Sequence, residues 1–149
     1  MKITEIKSFV IELAPTGEDD HRYTTLGITQ VFTDEGITGY GFRRTPEDIL
    51  TSQVRPGLIG KDPRNIIEIL KSGALKGCAT VENALWDISG KVANVPVRHL
   101  LGSTAERFPY YLTCVWPGNP DQSHLSIDEQ AAQIVRYYEL GHTKFKFRG

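Results

Sequence analysis

The sequence predicts an α+β fold in which a three-stranded antiparallel meander with its helices is followed by one βαβ unit. Three observations predict it. Residues 2–42 contain three β-rich runs separated by turn residues, residues 45–96 carry helix-start signals and helical apolar spacing, and residues 110–148 follow the order strand, helix, strand. With 149 residues, 40% of them hydrophobic, the chain has enough apolar sequence for an ordinary domain core.

The composition excludes several classes of protein. Lys and Arg number 17 against 18 Asp and Glu, a net charge of -1, so the overall basic excess of nucleic-acid or anionic-membrane binders is absent. No apolar run approaches the roughly 20 residues of a membrane helix, and residues 1–5 lack the pattern of a secretory signal. We therefore expect a cytoplasmic protein with no nucleic-acid or membrane partner. Cys78 and Cys114 lack CxxC spacing and are expected to be reduced thiols.

The first third of the chain predicts the meander. In the first strand, over 2–13, partial alternation places four residues on one face: Lys7, Phe9, Ile11 and Leu13. A polar loop over 14–24 separates it from a second strand over 26–33. An Asp-Glu-Gly turn, with Gly36 at positive φ, then leads into a third strand over 37–42. Consecutive strands joined in this way pair antiparallel.

The middle of the chain predicts helices. Thr45 is the expected N-cap of a helix over 46–54, because a proline and two acidic residues follow it. Asp62 and Pro63 repeat this signal for a second short helix, which ends at two glycines, Gly73 and Gly77. The strongest helical pattern spans 80–92, with five apolar residues at helical spacing: Val81, Ala84, Leu85, Ile88 and Val92. One face of this helix is expected to pack inward.

The last part of the chain predicts the βαβ unit. A strand-like run covers 110–115, and Ser126 with Glu129 forms a capping box at the start of a helix. That helix carries one apolar stripe: Ile127, Ala131, Ile134, Val135 and Tyr138. Gly141 fits a left-handed C-cap. Alternation over 143–148 places Lys144, Lys146 and Arg148 on one face of a strand and Phe145 and Phe147 on the other. A strand, a helix and a strand imply a parallel pair with a right-handed crossover.

Lys144 and Lys146 are the sharpest candidate for chemistry. Two lysines two apart on a strand have their α-carbons about 6.6 Å apart on one face, close enough for each charge to lower the pKa of the other. Such a lowering lets a lysine act as a general base near neutrality. A solvated basic strand face is the commoner explanation of so short a pattern. A phosphate-contacting strand with Phe145 and Phe147 stacked on bases is disfavoured, because the aromatics and the cations face opposite sides.

Other clusters of polar residues are given structural interpretations. The histidines have no metal-site spacing and are expected to be surface or cap residues: His21, His99, His124 and His142. The acidic cluster over 18–20 lacks the oxygen spacing of a calcium loop. Glu82 and Asp87 are five apart and face different ways on their helix, so a cap, a solvated position or a packing contact is favoured over an acid pair. No GxGxxG or P-loop pattern supports nucleotide binding.

Six segments in a fixed order together resemble a known family. They are Met1-Lys2-Ile3-Thr4, Thr33-Asp34-Glu35-Gly36-Ile37-Thr38-Gly39-Tyr40-Gly41, Gly60-Lys61-Asp62-Pro63, Ala84-Leu85-Trp86-Asp87-Ile88-Ser89-Gly90-Lys91, Leu100-Leu101-Gly102 and Lys144-Phe145-Lys146. The ordered set resembles the N-terminal portion of an enolase-superfamily enzyme of the mandelate racemase and muconate lactonizing type. The resemblance implies an α+β capping domain over 1–108, followed over 109–149 by the first βαβ unit of a (β/α)-barrel.

The resemblance also implies roles for particular residues. Lys146 would be the base that removes the proton α to a substrate carboxylate, and Lys144 would contact that carboxylate. The loop over 14–24 would be a specificity loop with three substrate-facing residues: His21, Arg22 and Tyr23. The family uses Mg²⁺, whose ligands come from later barrel strands, so this chain contains none of them. The helix that contains Asp87 would be structural.

The function implied is magnesium-assisted removal of an α-proton from a small-molecule carboxylate, most simply by a sugar-acid dehydratase or a hydroxy-acid racemase. The full-length enzyme is expected to be a homo-oligomer, whereas the 149-residue chain alone is expected to lack turnover. A cycloisomerase of the same superfamily is the first alternative. A small non-catalytic α+β module that binds a partner through its final strand is the second, if residues 1–149 are the complete product.

Overall fold

The computed structural model describes residues 1–13, 25–114 and 126–147. The chain divides into two compact units, 1–104 and 105–149. The first unit contains, in order, β1 (Ile3–Glu12), β2 (Thr25–Thr33), β3 (Thr38–Phe42), α1 (Glu47–Ile49), a π-helical turn (Leu50–Val54), α2 (Arg55–Leu58), α3 (Ile66–Lys71), α4 (Ala79–Ala93) and α5 (Val97–Leu100). The second contains β4 (Leu112–Cys114), α6 (Ile127–Glu139) and β5 (Phe145–Phe147).

The three strands of the first unit form the expected antiparallel meander, in the order β1-β2-β3. Gly36 has a φ of 78° in the turn between β2 and β3, a conformation that glycine adopts without steric cost. The register places Ile6 opposite Val31 and Val31 opposite Gly39. The meander is confirmed, and the loop over 14–24 lies outside the described residues.

The residues of β1 that alternation placed on one face are not the ones that the fold buries. Ile3, Ile6 and Val31 are buried in the core, whereas Phe9 and Ile11 are exposed. The pairing shifts between Ile3 and Glu5, and such an irregularity changes which side chains follow the alternation. The predicted group does share one face from Lys7 onward, but that face points away from the core.

Two glycines in β3 let α4 lie directly on the sheet. A Cβ on Gly39 would lie 2.1 Å from the carbonyl oxygen of Ala84, and one on Gly41 would lie 2.0 Å from the carbonyl oxygen of Thr80. Any side chain at either position would therefore push the helix away. The inward face of α4 is buried as expected at Val81, Ala84, Leu85 and Ile88, but Val92 is exposed.

Several predicted helix boundaries were wrong. Thr45 is not an N-cap, since Pro46 occupies that position and Thr45 is buried, with its N–H donating to Ser8 Oγ at 2.8 Å. The first helical stretch runs from α1 through the π-helical turn and continues past residue 54 into α2. Asp62 accepts a hydrogen bond from the N–H of Arg64 in a local turn, so the next helix, α3, begins later.

Short-range signals located the ends of other elements correctly. Gly73 and Gly77 both have a φ of 76° and follow α3. The predicted helix over 80–92 is α4, after which Asn94 adopts the left-handed conformation with a φ of 53°. The short helix α5 was not predicted. No helix in the described part of the chain is long and apolar enough to cross a membrane.

The second unit has the expected parallel pair of strands, β4 and β5. Ser126 and Glu129 form the predicted capping box at the start of α6: Ser126 N–H donates to Glu129 Oε2 at 2.7 Å, and Glu129 N–H donates to Ser126 Oγ at 3.3 Å. Gly141, just after α6, has a φ of 95°. The apolar stripe of α6 contains no buried residue, and Ile127 is 84% exposed.

Candidate functional site

Lys144 and Lys146 lie at the start and in the middle of the parallel strand pair. Lys146 is the register partner of Thr113, and the carbonyl oxygen of Lys144 accepts a hydrogen bond of 2.8 Å from the N–H of Leu112. Both lysine side chains are exposed. Because residues two apart on a strand share a face, the ladder holds both cations on one side of β5, while Phe145 and Phe147 belong to the other.

An aromatic ring that sequence reasoning missed lies beside the lysine pair. The Nζ of Lys146 is 5.5 Å from the centroid of the Tyr111 ring, within the range of a cation–π contact, worth about 0.5–1 kcal/mol at an exposed site. Tyr111 is two residues before Thr113, the register partner of Lys146, which puts all three on one face. The signal was present in the sequence, but finding it required the register of β4 against β5.

His142, expected to be a surface or cap residue, lies just after α6, where its N–H donates to the carbonyl oxygen of Tyr137 at 3.1 Å. It is partly buried, its Nδ1 lies 2.8 Å from Tyr110 Oη, and its ring packs edge-on against Tyr110 and Tyr137. Tyr110 precedes β4 and His142 precedes β5, so this cluster is at the amino ends of the strands. The ring of His142 contacts both tyrosine rings, and we assign the cluster a structural role.

The other candidates are either structural or outside the described residues. His21, Arg22 and Tyr23 lie outside them, as does His124. His99 is exposed, as expected. Asp87 accepts a hydrogen bond of 2.9 Å from the N–H of Tyr40 and pairs with Lys91 at 2.7 Å, which joins α4 to β3. Its role is a packing contact, one of those expected for it.

The described residues do not fit a magnesium ion. Magnesium is held by carboxylate and other oxygen ligands, and no group of three or more His, Cys, Asp or Glu side chains in 1–13, 25–114 and 126–147 could hold a metal. The candidate site contains two cations, which would repel a third. The chemical groups of the candidate site are therefore the amines of Lys144 and Lys146.

The arrangement of these lysines can do two things chemically. Two ammonium groups on one strand face can bind an anion such as a carboxylate, and an amine in its neutral form can accept a proton. The comparison with known proteins gives this pair its context.

Residues 11–102 match the family described as mandelate racemase/muconate lactonizing enzyme, N-terminal domain. Among curated relatives, cis-3-hydroxy-L-proline dehydratase from Roseibium aggregatum is 31% identical over 99% of this chain and 45% of its own length. D-galactonate dehydratase from Xanthomonas campestris pv. campestris is 33% identical over 80% of this chain and 34% of its own length. The chain thus spans less than half the length of these relatives.

Solved structures share the fold. A 2-chloromuconate cycloisomerase from Rhodococcus opacus superposes with a TM-score of 0.76 and 23% identity, over 98% of this chain and 43% of that one. A D-glucarate dehydratase from Agrobacterium tumefaciens, complexed with magnesium, superposes with a TM-score of 0.63 and 21% identity, over 76% and 36%. Since the family match covers residues 11–102 of the 149, the chain belongs to the mandelate racemase and muconate lactonizing enzyme family of the enolase superfamily.

Proposed function

We propose that the chain is the N-terminal part of an enzyme that removes the proton α to a carboxylate, as a sugar-acid dehydratase or a hydroxy-acid racemase. In this assignment residues 1–108 form the capping domain and residues 109–149 begin the barrel. The observation that carries the proposal is the Lys144-x-Lys146 pair on β5, on one face of a parallel strand pair, in a chain that belongs to this family.

The two lysines divide the work in this proposal. The neutral Nζ of Lys146 accepts the α-proton, and the electron pair of the broken C–H bond moves into the carboxylate to give an enediolate. The Nζ of Lys144 contacts the carboxylate, where negative charge accumulates. Tyr111, 5.5 Å from the Nζ of Lys146, restricts where that amine can point.

The fate of the enediolate separates the two reactions. If a hydroxyl on the β-carbon leaves as water, the electron pair forms a carbon–carbon double bond and the reaction is a dehydration. If a proton returns to the opposite face of the α-carbon, the reaction is a racemisation. Two relatives with dehydratase names, at 31% and 33% identity, favour dehydration. The cycloisomerase likeness, at 23% identity, concerns the fold alone.

Three further parts complete the proposal. His21, Arg22 and Tyr23, in the loop after β1, contact the substrate and set its specificity. Mg²⁺ is bound in the full-length enzyme by residues other than those of this chain, as the magnesium-bound glucarate dehydratase of the same fold suggests. The full-length enzyme is a cytoplasmic homo-oligomer.

The first test is the reading frame beyond Gly149. We expect it to continue for roughly another 200 residues, the length a barrel requires, with acidic residues at successive strand ends. A stop codon directly after Gly149 would contradict the proposal and favour a non-catalytic binding module.

The second test is a set of substitutions in that longer polypeptide, assayed against a library of sugar acids with Mg²⁺ present. Lys146→Ala is expected to lower kcat by about 10²–10⁴-fold, the typical contribution of a general base. Lys144→Ala is expected to raise KM as well, because Lys144 binds the carboxylate. Lys2→Ala, an exposed lysine of the first unit, is the matched control and should leave both constants unchanged. Activity of Lys146→Ala within about twofold of the parent would refute the role of this lysine.

A further inference from the structure

We propose that the first unit binds a small dianionic oxyanion of the phosphate type, in the cavity between the end of β3 and the amino end of α4. The cavity has a volume of about 620 Å³, enough for such an anion and its first waters. Its lining includes Arg43, Arg44, Lys76, Thr80 and Asn83, and no Asp or Glu. All of these residues belong to the first unit, and the proposal does not rest on the function proposed for Lys144 and Lys146.

The cations that line the cavity form no ion pairs with described carboxylates, and Arg44 interacts at longer range with the carboxylate of Glu47. Within the residues that the structure describes, no carboxylate lies within ion-pair distance of Arg43, Arg44 or Lys76. Arg55, by contrast, is paired with Glu47. Three cations around one concave surface with no acidic residue in its lining produce a positive potential that attracts anions.

The amino end of α4 adds hydrogen-bond donors to this charge. In this 15-residue helix, the N–H groups of Val81 and Glu82 both donate to the carbonyl oxygen of Cys78. The N–H groups of Ala79 and Thr80 have no partner among the described residues. Free amides at the positive end of a helix dipole favour an anion.

The residue that would normally satisfy these amides does not do so. Cys78 occupies the N-cap position without capping, and its thiol lies 3.7 Å from the carbonyl oxygen of Lys76, to which it donates. Burial raises the pKa of the Cys78 thiol, which keeps this group protonated and neutral at neutral pH. The Cys78 side chain therefore brings no negative charge to the amino end of α4. The acidic residue of its first turn is Glu82, whose Oε1 accepts a hydrogen bond of 3.4 Å from Trp86 Nε1.

Thr80 is the observation that points directly to a ligand. Its side chain is 8% exposed and lines the cavity, yet its hydroxyl has no hydrogen-bond partner among the described residues. Its methyl carbon faces Gly41, where an added Cβ would lie 2.8 Å away. Every fully enclosed side-chain oxygen or nitrogen in the described residues has a partner, so the Thr80 hydroxyl oxygen is accessible, on a residue that lines the cavity. An accessible hydroxyl without a protein partner leaves one donor on the cavity wall available to a ligand.

These donors match a tetrahedral dianion better than a single carboxylate. Two amides, one hydroxyl and the guanidinium groups offer more donors than a carboxylate's two oxygens can accept. A phosphate group has enough oxygens to accept from all of them. Free phosphate and a carboxylate ligand share oxyanion chemistry, and their affinities distinguish them.

The test is a titration of the ¹⁵N-labelled 149-residue chain with inorganic phosphate at constant ionic strength, followed by NMR. We expect saturable shifts of the Ala79 and Thr80 amide signals, with affinity about tenfold tighter than for acetate. Arg44→Gln and Thr80→Val are each expected to weaken phosphate binding about tenfold, as loss of one charge-assisted or buried hydrogen bond would. Arg98→Gln, an exposed arginine of α5, is the matched control and should bind as the parent does.

Three results would overturn the proposal. The first is the absence of saturable shifts at millimolar phosphate, and the second is equal affinity in the parent and in Arg44→Gln, an exposed position where folding is not at stake. The third is acetate binding as tightly as phosphate, which would show that the cavity takes carboxylates without preference. Arg43→Gln is a second exposed variant that repeats the test if Thr80→Val alters the fold.

Discussion

Single residues in the first unit show how local pairing controls charge. Asp62 accepts hydrogen bonds of 2.9 Å from both the N–H and the Nε of Arg64. These hydrogen bonds with Arg64 hold the pKa of Asp62 at about 2, below its ordinary 3.8. Asp62 and Pro63, a pattern that predicts a helix start, instead form a turn. The carboxylate of Asp62 accepts from the N–H of Arg64, two residues on, and does not cap a helix.

This pair makes a pH-dependent contribution to stability. Because the pKa of Asp62 is lower in the folded chain, its contribution is fully present above pH 3.8 and is lost as the pH falls through about 2. Asp62→Asn removes that titration, so we expect its free energy of unfolding to fall less steeply than the parent's between about pH 4 and pH 2. Urea denaturation followed by circular dichroism measures the slopes. Asp48→Asn, whose side chain makes no hydrogen bond among the described residues, is the control; equal slopes in Asp62→Asn and the parent would contradict the expectation.

At the scale of elements, the contact between α4 and β3 organises the first unit. The helix lies on two glycines, and Asp87 and Lys91 then tie it to the strand: Asp87 accepts from the N–H of Tyr40, and Lys91 Nζ donates to the carbonyl oxygen of Thr38 at 2.7 Å. A helix this close to a strand excludes even a methyl group. The Gly-x-Gly pattern of β3 is thus a packing requirement rather than a nucleotide-binding signal.

A single methyl group should therefore be strongly destabilising in β3. Gly39→Ala would place a carbon 2.1 Å from the carbonyl oxygen of Ala84, and backbone atoms cannot move aside as a flexible side chain can. We expect a loss of about 2–3 kcal/mol or more in the free energy of unfolding, at the upper end of overpacking costs. Thr38→Ala, on the same strand, should cost less than about 1 kcal/mol. The urea midpoint and its slope report both values, and equal losses would show that α4 is not in contact with Gly39 in solution.

For the whole molecule, the rate acceleration that the proposed reaction needs exceeds what a general base alone contributes. A general base contributes about 10²–10⁴ in rate, whereas enzymes typically accelerate reactions by 10⁶ or more. The described residues offer the lysine pair without a metal-binding cluster, and curated relatives are more than twice as long. Under the proposed function, the rest of the acceleration comes from groups other than the described residues.

We therefore expect no measurable turnover of sugar acids or hydroxy acids by the purified 149-residue chain, even with saturating Mg²⁺. The D-galactonate dehydratase of Xanthomonas campestris pv. campestris, assayed in parallel with its own substrate, is the positive control. Metal-dependent release of a 2-oxo acid product by the chain alone would refute this expectation. It would mean that residues 1–149 contain a complete site.

Much of the architecture follows from short-range patterns. The Asp-Glu-Gly turn at Gly36, the capping box of Ser126 and Glu129, and the apolar spacing of α4 each act within a few residues, so they could be interpreted without knowing the fold. The Lys144-x-Lys146 pair was found in the same way, since alternation on a strand requires only the sequence. Its place among known enzymes required the ordered set of segments that resembles the family.

Other features depend on residues far apart in the sequence. The choice of Ile3 and Ile6 rather than Phe9 for the buried face of β1 depends on an irregular pairing with β2. The contact of Tyr111 with Lys146 depends on the register of β4 and β5, and the unpaired hydroxyl of Thr80 beside the arginines depends on how α4 meets β3. Local patterns specify elements because their energies arise between near neighbours, whereas faces, registers and cavities are settled by packing between distant segments.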